Sequence, residues 1–362
     1  MTILFTSNTD GGMLHFVVQL LLIHTQLQKE ALLFLPREST VTIPEGMENR
    51  FVFYDKFRTI KKNDERIKAL AEQIKTNQPD LVWYGDSSIL SMQLSIMLQK
   101  DVKQVLSLHD AGTYHPSNKL TLKEKVQQKY TNHLLRLSLK ALDKVQLLSE
   151  SCEKTFTSLY PRFADKSIVM PLGATMPKAE AVKPEEIKEE AFYLFFGRID
   201  KYKGISRICK AYCKLEGEKP LLILAGKGTY TEEEKECIKG DSRIMTLNRY
   251  ISDEEMLWLL EHAICVTLPY NEATQSGVLP VAFAYGKPAI TSNEEGLTQF
   301  MEQGKTGYIC ATEEEYVHAL EQMMHKDISG EMGKNAYRYY KEHLDWKRNV
   351  ETFLNRMQQV NK

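Results

Sequence analysis

Short apolar runs alternate with helically spaced segments twice along this chain, and that double alternation restricts the fold more than any other feature. Residues 3–6, 31–35, 51–54, 79–86, 103–110, 145–149 and 168–173 read as strands, with helical patterning over 13–28, 61–75, 88–99 and 119–144 between them. In 61–75, for example, Ile67, Leu70, Ala71 and Ile74 fall on one helical face. Unbroken apolar runs mark strands buried on both faces, and their alternation with helices predicts a parallel sheet covered on both sides. Between 177 and 190 the composition shifts to Lys, Glu, Ala and Pro, as in a surface linker. Then the pattern restarts, with strands at 191–196, 221–226, 244–247 and 264–269 and helices at 206–214, 232–238 and 253–261. The chain has 362 residues, too many for one ordinary domain. The expected fold class is therefore α/β with two doubly wound parallel-sheet domains, 1–176 and 191–344, joined by the linker 177–190. Residues 345–362 space Trp346, Val350, Phe353, Leu354 and Met357 as the apolar face of a final helix.

The bulk numbers exclude several function classes. With 47 basic and 48 acidic residues the net charge is -1, which gives no whole-chain reason to expect nucleic acid as a partner. Six scattered cysteines form neither a CxxC pair nor a His-Cys cluster, so no metal site and no disulfide framework is expected. The apolar stretch 16–23 is too short to span a bilayer and is interrupted by Gln19. No basic leader precedes the first strand, so a cytoplasmic chain is expected. One segment is locally basic: 119–144 carries Lys119, Lys123, Lys125, Lys129, Arg136, Lys140 and Lys144 against Glu124 and Asp143. Two readings stand for it, a solvated helix face or a peripheral contact with the inner face of a membrane.

The chemistry-bearing residues cluster where strands end. After Phe195 and Phe196 the chain reads Gly197, Arg198, Ile199, Asp200, Lys201, Tyr202, Lys203, Gly204 and then turns helical. Arg198 and Lys203 thus occupy a strand-to-helix loop, where open α/β sheets bind ligands. A planar guanidinium and a mobile ammonium suit phosphate oxygens, although solvated loop cations read the same way. His109 and Asp110 end another strand and are the first polar pair placed for chemistry, the alternative for His109 being a hydrogen-bonded structural residue. Gly11 and Gly12 open the first helix, where backbone amides are free to face a ligand or simply to make a βα turn. Gly226-Lys227-Gly228 lacks the third glycine of a dinucleotide fingerprint, and no Walker A loop is present.

Residues 270–290, running from Tyr270-Asn271-Glu272 through Ser276-Gly277-Val278 to Gly286-Lys287-Pro288, carry a resemblance. Together with Phe196-Gly197-Arg198, Lys203-Gly204, Glu295-Gly296-Leu297 and Gly304-Lys305-Thr306-Gly307-Tyr308, the chain resembles the retaining GT-B glycosyltransferases of family 4, glycosyl transferases group 1. The resemblance implies two Rossmann-like domains facing a cleft, with a nucleoside-diphosphate sugar bound mainly by the second and the acceptor mainly by the first. It implies that the final helix crosses back to the first domain. Arg198 and Lys203 match the family's diphosphate-binding pair. Ser276, Gly277 and Val278 match the helix start whose amides meet phosphates or the transferred sugar; Tyr250 and Ile251 lie where the backbone recognises the base. His109 matches a histidine near the reacting sugar, and Gly12 the loop that approaches donor and acceptor. No tightly bound cofactor and no metal is implied, the two cations replacing a divalent ion.

One departure matters. The family carries two glutamates, and here Val281 stands at the second position, while Glu272 is displaced by one residue from the first. A valine side chain accepts no hydrogen bond from a ribose hydroxyl, so Glu295 becomes the candidate for that role. Glu272 fits either the first-glutamate role or a surface carboxylate. The expected function is transfer of a sugar from a nucleoside diphosphate to a saccharide or lipid-linked saccharide acceptor, with retention, in polysaccharide or glycoconjugate synthesis. The alternatives are a noncatalytic nucleotide-sugar-binding subunit, motivated by Val281, and a GT-B-like sugar-nucleotide epimerase, disfavoured by the lack of a clear acid/base carboxylate set.

Overall fold

The computed structural model describes residues 2–8, 12–41, 43–56, 64–99, 101–111, 121–174 and 179–359. Met1–Met170 together with Val350–Lys362 form one compact unit, and Pro171–Asn349 form the other. Central runs such as 3–6, 81–84 and 221–225 are buried throughout, so no alternation of polar and apolar residues is needed there.

The first unit holds seven parallel strands: β1 (Ile3–Thr6), β2 (Ala31–Pro36), β3 (Phe51–Tyr54), β4 (Leu81–Tyr84), β5 (Lys103–Leu108), β6 (Lys144–Leu147) and β7 (Ser167–Val169). Their order is β3-β2-β1-β4-β5-β6-β7, reversing direction of growth between β1 and β4. β1 and β4 are buried throughout. The last strand stops at Val169, short of the expected 173. Pro171 has no amide to give a neighbouring strand, and a Cβ on Gly173 would fall 2.7 Å from Trp346 Cγ, so the chain there is already committed to other packing. The final helix, Trp346–Gln359, buries Val350, Phe353, Leu354 and Met357. Within the first unit the Phe353 ring lies 4.5 Å from that of Trp83.

The second unit holds six parallel strands: β8 (Phe192–Phe196), β9 (Leu221–Ala225), β10 (Ile244–Leu247), β11 (Ala263–Leu268), β12 (Ala289–Ser292) and β13 (Gly307–Cys310). The order β10-β9-β8-β11-β12-β13 reverses between β8 and β11. Three of its helices start on reciprocal capping boxes, Thr231 with Glu234, Ser252 with Glu255 and Thr312 with Glu315, which satisfy amides that a helix start leaves open. β12, β13 and the helices Glu313–Met324 and Lys326–Tyr339 complete the sheet and its cover beyond the strands and helices foreseen.

The division between units falls before the expected linker. Residues 177–190 include Ile187, buried in the core of the second unit, and two carboxylates held by cations of that unit. Both oxygens of Glu186 accept from Arg249 at 3.1 Å, and Glu189 accepts from Arg243 Nη2 at 2.9 Å. A segment poor in apolar residues is thereby fastened by ion pairs in place of a core.

Close approach of backbones sets the loops beyond β8 and β9. Gly226 has φ 143°, and a Cβ there would stand 1.9 Å from the Gly197 carbonyl oxygen. Gly226→Ala combines about 1–3 kcal/mol of backbone strain with that clash. Chemical denaturation should give a clearly lowered midpoint with the denaturant slope unchanged, and an unaltered midpoint would refute the packing described.

Candidate functional site

The strand-order reversal leaves a gap between the loops after β8 and β11, because successive crossover helices depart from it in opposite directions. The β8 loop fills one side. Its short turn Lys201–Lys203 ends at Gly204, which takes the left-handed conformation at φ 59° and opens the helix Ile205–Cys213. Only glycine fits, since a Cβ would lie 2.2 Å from the Pro269 carbonyl oxygen. The loop is pinned on both flanks. Ile199 donates its amide to Lys227 O at 3.0 Å, while Asn271 donates its amide to Tyr202 O at 2.8 Å and Nδ2 to Lys201 O at 2.9 Å.

Arg198 and Lys203 emerge from this turn in different states. The Arg198 side chain is 65% exposed, 3.9 Å from Asp200, and donates Nη2 to the Tyr202 hydroxyl at 3.4 Å. Lys203 is half-buried, its Nζ 3.6 Å from the centroid of the Tyr270 ring and 5.0 Å from that of Tyr202. Burial, with Arg198 adding repulsion and Asp200 opposing both, pulls its ammonium down to about 7. A buried cation beside a second cation is a charge awaiting a counterion.

The β11 loop fills the other side. Ser276 Oγ lies 3.3 Å from the Tyr270 hydroxyl and accepts the Val278 amide at 3.2 Å. Gly277 caps the short helix Val278–Ala284 and is exposed. The two sides meet, because Val278 Cγ2 lies 3.9 Å from where a Cβ on Gly197 would stand. The Val278 amide is therefore engaged by Ser276, which changes how that expected phosphate donor is used. Val281 packs half-buried against the core.

Two neighbouring carboxylates stand at this point in different surroundings. Glu295 is exposed at the start of the helix Glu295–Thr298. Glu294 is half-buried and closes on the 272–274 loop by accepting the Ala273 amide. Burial raises its carboxyl above the usual range, Arg207 and that amide oppose, and the Glu272 carboxylate raises it further. Glu272 is half-buried as well. Farther along the same strand ends, Tyr250 is 77% exposed and Ile251 is buried. Arg249 forks onto both oxygens of Glu255 at 2.7 Å and donates to Tyr250 O at 3.2 Å, fixing the backbone there.

The first unit has its own switch point, between β1 and β4, and there the sequence reading missed a residue. Asp86 is buried and accepts from Ser7 Oγ at 2.8 Å, Asn8 N at 2.6 Å, Ser88 N at 2.9 Å and Ser91 Oγ at 2.7 Å. Burial alone would raise its carboxyl, but hydrogen bonds from Ser88, Ser91 and Asn8 outweigh it and hold the group below the usual value. The rule that singled out His109, a polar residue ending a strand, applies to Asp86 equally. His109 Nε2 donates to Gly85 O at 2.9 Å and its ring meets Phe16 edge-on at 5.0 Å. Removal from water lowers the imidazole below its usual value, although the Gly85 carbonyl and Asp86 favour the charged form. A neutral ring donating from Nε2 presents Nδ1 as an acceptor. Gly12 begins the helix Gly12–Gln26, and Gly11 lies outside the described residues, as do Lys119 and residues 177 and 178 of the expected linker.

Among the described residues no group of three or more His, Cys, Asp or Glu could hold a metal ion, and no helix is long and apolar enough to cross a membrane. Residues 177–343 match the model of the family Glycosyl transferases group 1. The matched span contains Arg198, Lys203, Tyr250, Ile251, Glu272, Ser276, Gly277, Val278 and Glu295. An uncharacterized glycosyltransferase of Methanocaldococcus jannaschii is 23% identical over 244 residues, 64% of this chain and 62% of its own. Glycogen synthase of Mycobacterium tuberculosis is 26% identical over 262 residues, covering 68% and 59%. The chain thus spans about three-fifths of the length of the curated relatives it matches. The crystal structure of Anabaena HepE in complex with UDP superposes with a TM-score of 0.76 at 15% identity, covering 99% of this chain and 100% of that one. Both units therefore have the Rossmann-like α/β architecture of GT-B glycosyltransferase structures.

Because native Lys203 loses its proton near 7 while an unfolded lysine keeps it to 10.5, the native state binds fewer protons between those values. Its burial penalty is complete below pH 7 and fades as pH rises toward 10.5. Lys203→Met should accordingly raise the melting temperature, most at pH 6 and least near pH 10. Calorimetry across that range checks it, and a lowered melting temperature at pH 6 would contradict the environment described.

Proposed function

We propose that this chain is a glycosyltransferase that takes a sugar from a nucleoside-diphosphate donor, a uridine diphosphate sugar first among candidates, and passes it with retention to a saccharide or lipid-linked saccharide acceptor. The observation that carries the reading is the pairing of Arg198 and Lys203 at the switch point, opposite Ser276 and Gly277. The glycosyl transferases group 1 domain around them and the UDP complex of the Anabaena protein support the donor class.

The chemistry follows from charge. As the bond from the anomeric carbon to the diphosphate oxygen breaks, negative charge grows on the leaving group, and cations fixed beforehand stabilise it. The acceptor hydroxyl oxygen forms the new bond, and its proton passes to the departing phosphate. Within this reading Arg198 and Lys203 hold the diphosphate, Tyr250 and Ile251 border the base, and Glu272, Glu294 and Glu295 are the carboxylates available to sugar or ribose hydroxyls. In the first unit, His109 offers Nδ1 as an acceptor for a sugar or acceptor hydroxyl, and Gly12 is the proposed ligand-facing helix start. No metal enters the scheme, and no resident cofactor is needed.

A second reading has a specific basis. Val281 puts an apolar, half-buried side chain at a position where the resemblance leads one to expect a carboxylate, as in a subunit that binds sugar nucleotides without turning them over. A panel of sugar nucleotides separates the two: the enzyme consumes one donor, whereas the subunit is stabilised by it with neither transfer nor hydrolysis. For the enzyme, Arg198→Ala and Lys203→Ala should each lower kcat/KM for the donor by about 100-fold or more. Unchanged kinetics in both variants would reject the phosphate grip.

For a lipid-linked acceptor we propose contact between the membrane face and the helix Leu122–Ala141. Its later part buries Leu134, Leu135, Ser138 and Leu139, while Lys125, Lys129, Arg136 and Lys140 are exposed and Val126 stands in solvent among them. Co-sedimentation with anionic vesicles should weaken with salt and in a Lys125→Glu/Lys129→Glu variant; equal recovery with neutral vesicles would exclude this electrostatic contact.

A further inference from the structure

We propose that Tyr270 is a positioning residue that ties the two sides of the phosphate site together, setting the Lys203 ammonium with its ring face and the Ser276 hydroxyl with its phenol. The inference rests on the diphosphate reading above and deepens it, since neither the family match nor the loop pattern gives Tyr270 a role.

Tyr270 is only 1% exposed and follows Pro269 directly after β11, so its ring has no room to swing. Its carbonyl oxygen lies 3.5 Å from Arg207 Nη1, and its ring meets that of Tyr202 edge-on at 6.4 Å. The face of this fixed ring lies under Lys203 Nζ at 3.6 Å. A lysine stem would otherwise sample many rotamers, and attraction to the ring quadrupole narrows them before any ligand arrives. The other end of the same ring reaches Ser276 Oγ at 3.3 Å. That oxygen already accepts the Val278 amide at 3.2 Å. With the Tyr270 phenol donating, both lone pairs of Ser276 Oγ are filled, and its own O–H is left with one use, as a donor to an incoming anion. Burial keeps the phenol protonated well above its usual range, so it remains a donor throughout the working pH range. One side chain thus prepares a cation on one loop and a hydroxyl donor on the other.

Two double-mutant cycles on the full chain test this, with calorimetric titration of inorganic pyrophosphate and of UDP. Tyr270→Phe keeps the ring and loses the phenol; it should weaken both ligands about 3- to 10-fold, and that effect should vanish in a Ser276→Ala background. Tyr270→Leu removes the ring face; it should weaken both by about 10-fold or more, with most of the loss absent in a Lys203→Met background. Simple addition of effects in both cycles would reduce Tyr270 to ordinary packing and overturn the proposal. If Tyr270→Leu does not fold, the isosteric Tyr270→Phe cycle decides alone. Wild-type protein that binds neither pyrophosphate nor any nucleoside diphosphate would instead overturn the phosphate site itself, an outcome distinct from additivity in a protein that binds.

Discussion

Strand order in the second sheet reverses once, between β8 and β11, and the site depends on that reversal. Parallel strands place their carboxyl ends on one edge, and only where crossovers diverge do two loops approach each other without a helix between them. The residues that line the gap are therefore chosen by topology before chemistry. Gly204 permits the β8 loop to pass under the Pro269 carbonyl, Asn271 locks it there, and the cations Arg198 and Lys203 are carried to the rim.

What the fold gains elsewhere it gives up here. Lys203 loses part of its hydration and lies beside Arg198, with Asp200 as an opposing charge and the Tyr202 and Tyr270 rings as softer partners. Such a charge is disfavoured by its surroundings, so under the proposed phosphate role stability and binding pull in opposite directions at this residue. Asp86 illustrates the contrary case in the first unit. Its charge is also buried, but four donors surround it, and it fastens the loop after β1 to the one after β4.

Sequence legibility followed burial. Strands such as β1, β4, β8 and β9 were readable because both faces are covered, leaving unbroken apolar runs. β13 was not, being a four-residue edge strand with Tyr308 and Ile309 only half-buried, and the helix Lys326–Tyr339 hides under a polar surface pattern. In the site, Arg198, Lys203 and Ser276 stood out as polar residues at strand ends. Tyr270 did not, since an aromatic residue just past a buried strand reads as core, which it also is. Glu294 and Glu295 could not be separated by pattern, because a helix of one turn, Glu295–Thr298, has too few residues to fix which neighbour turns inward. The expected linker near 177–190 failed as an isolated surface segment for a related reason: ion pairs to Arg243 and Arg249 leave no apolar trace.

The loops beyond β8 and β9 remain paired past the end of the sheet. Ile199 bridges to Gly228 in parallel fashion, and Asn248 presents its amide to Gly228 as a strand would, accepting at 3.0 Å and returning a donor at 3.1 Å. The backbone on this rim is consequently ordered during folding, and no loop has to close over an arriving anion at this point. For an anion bound as proposed, the cost of association falls chiefly on stripping water from Arg198 and Lys203.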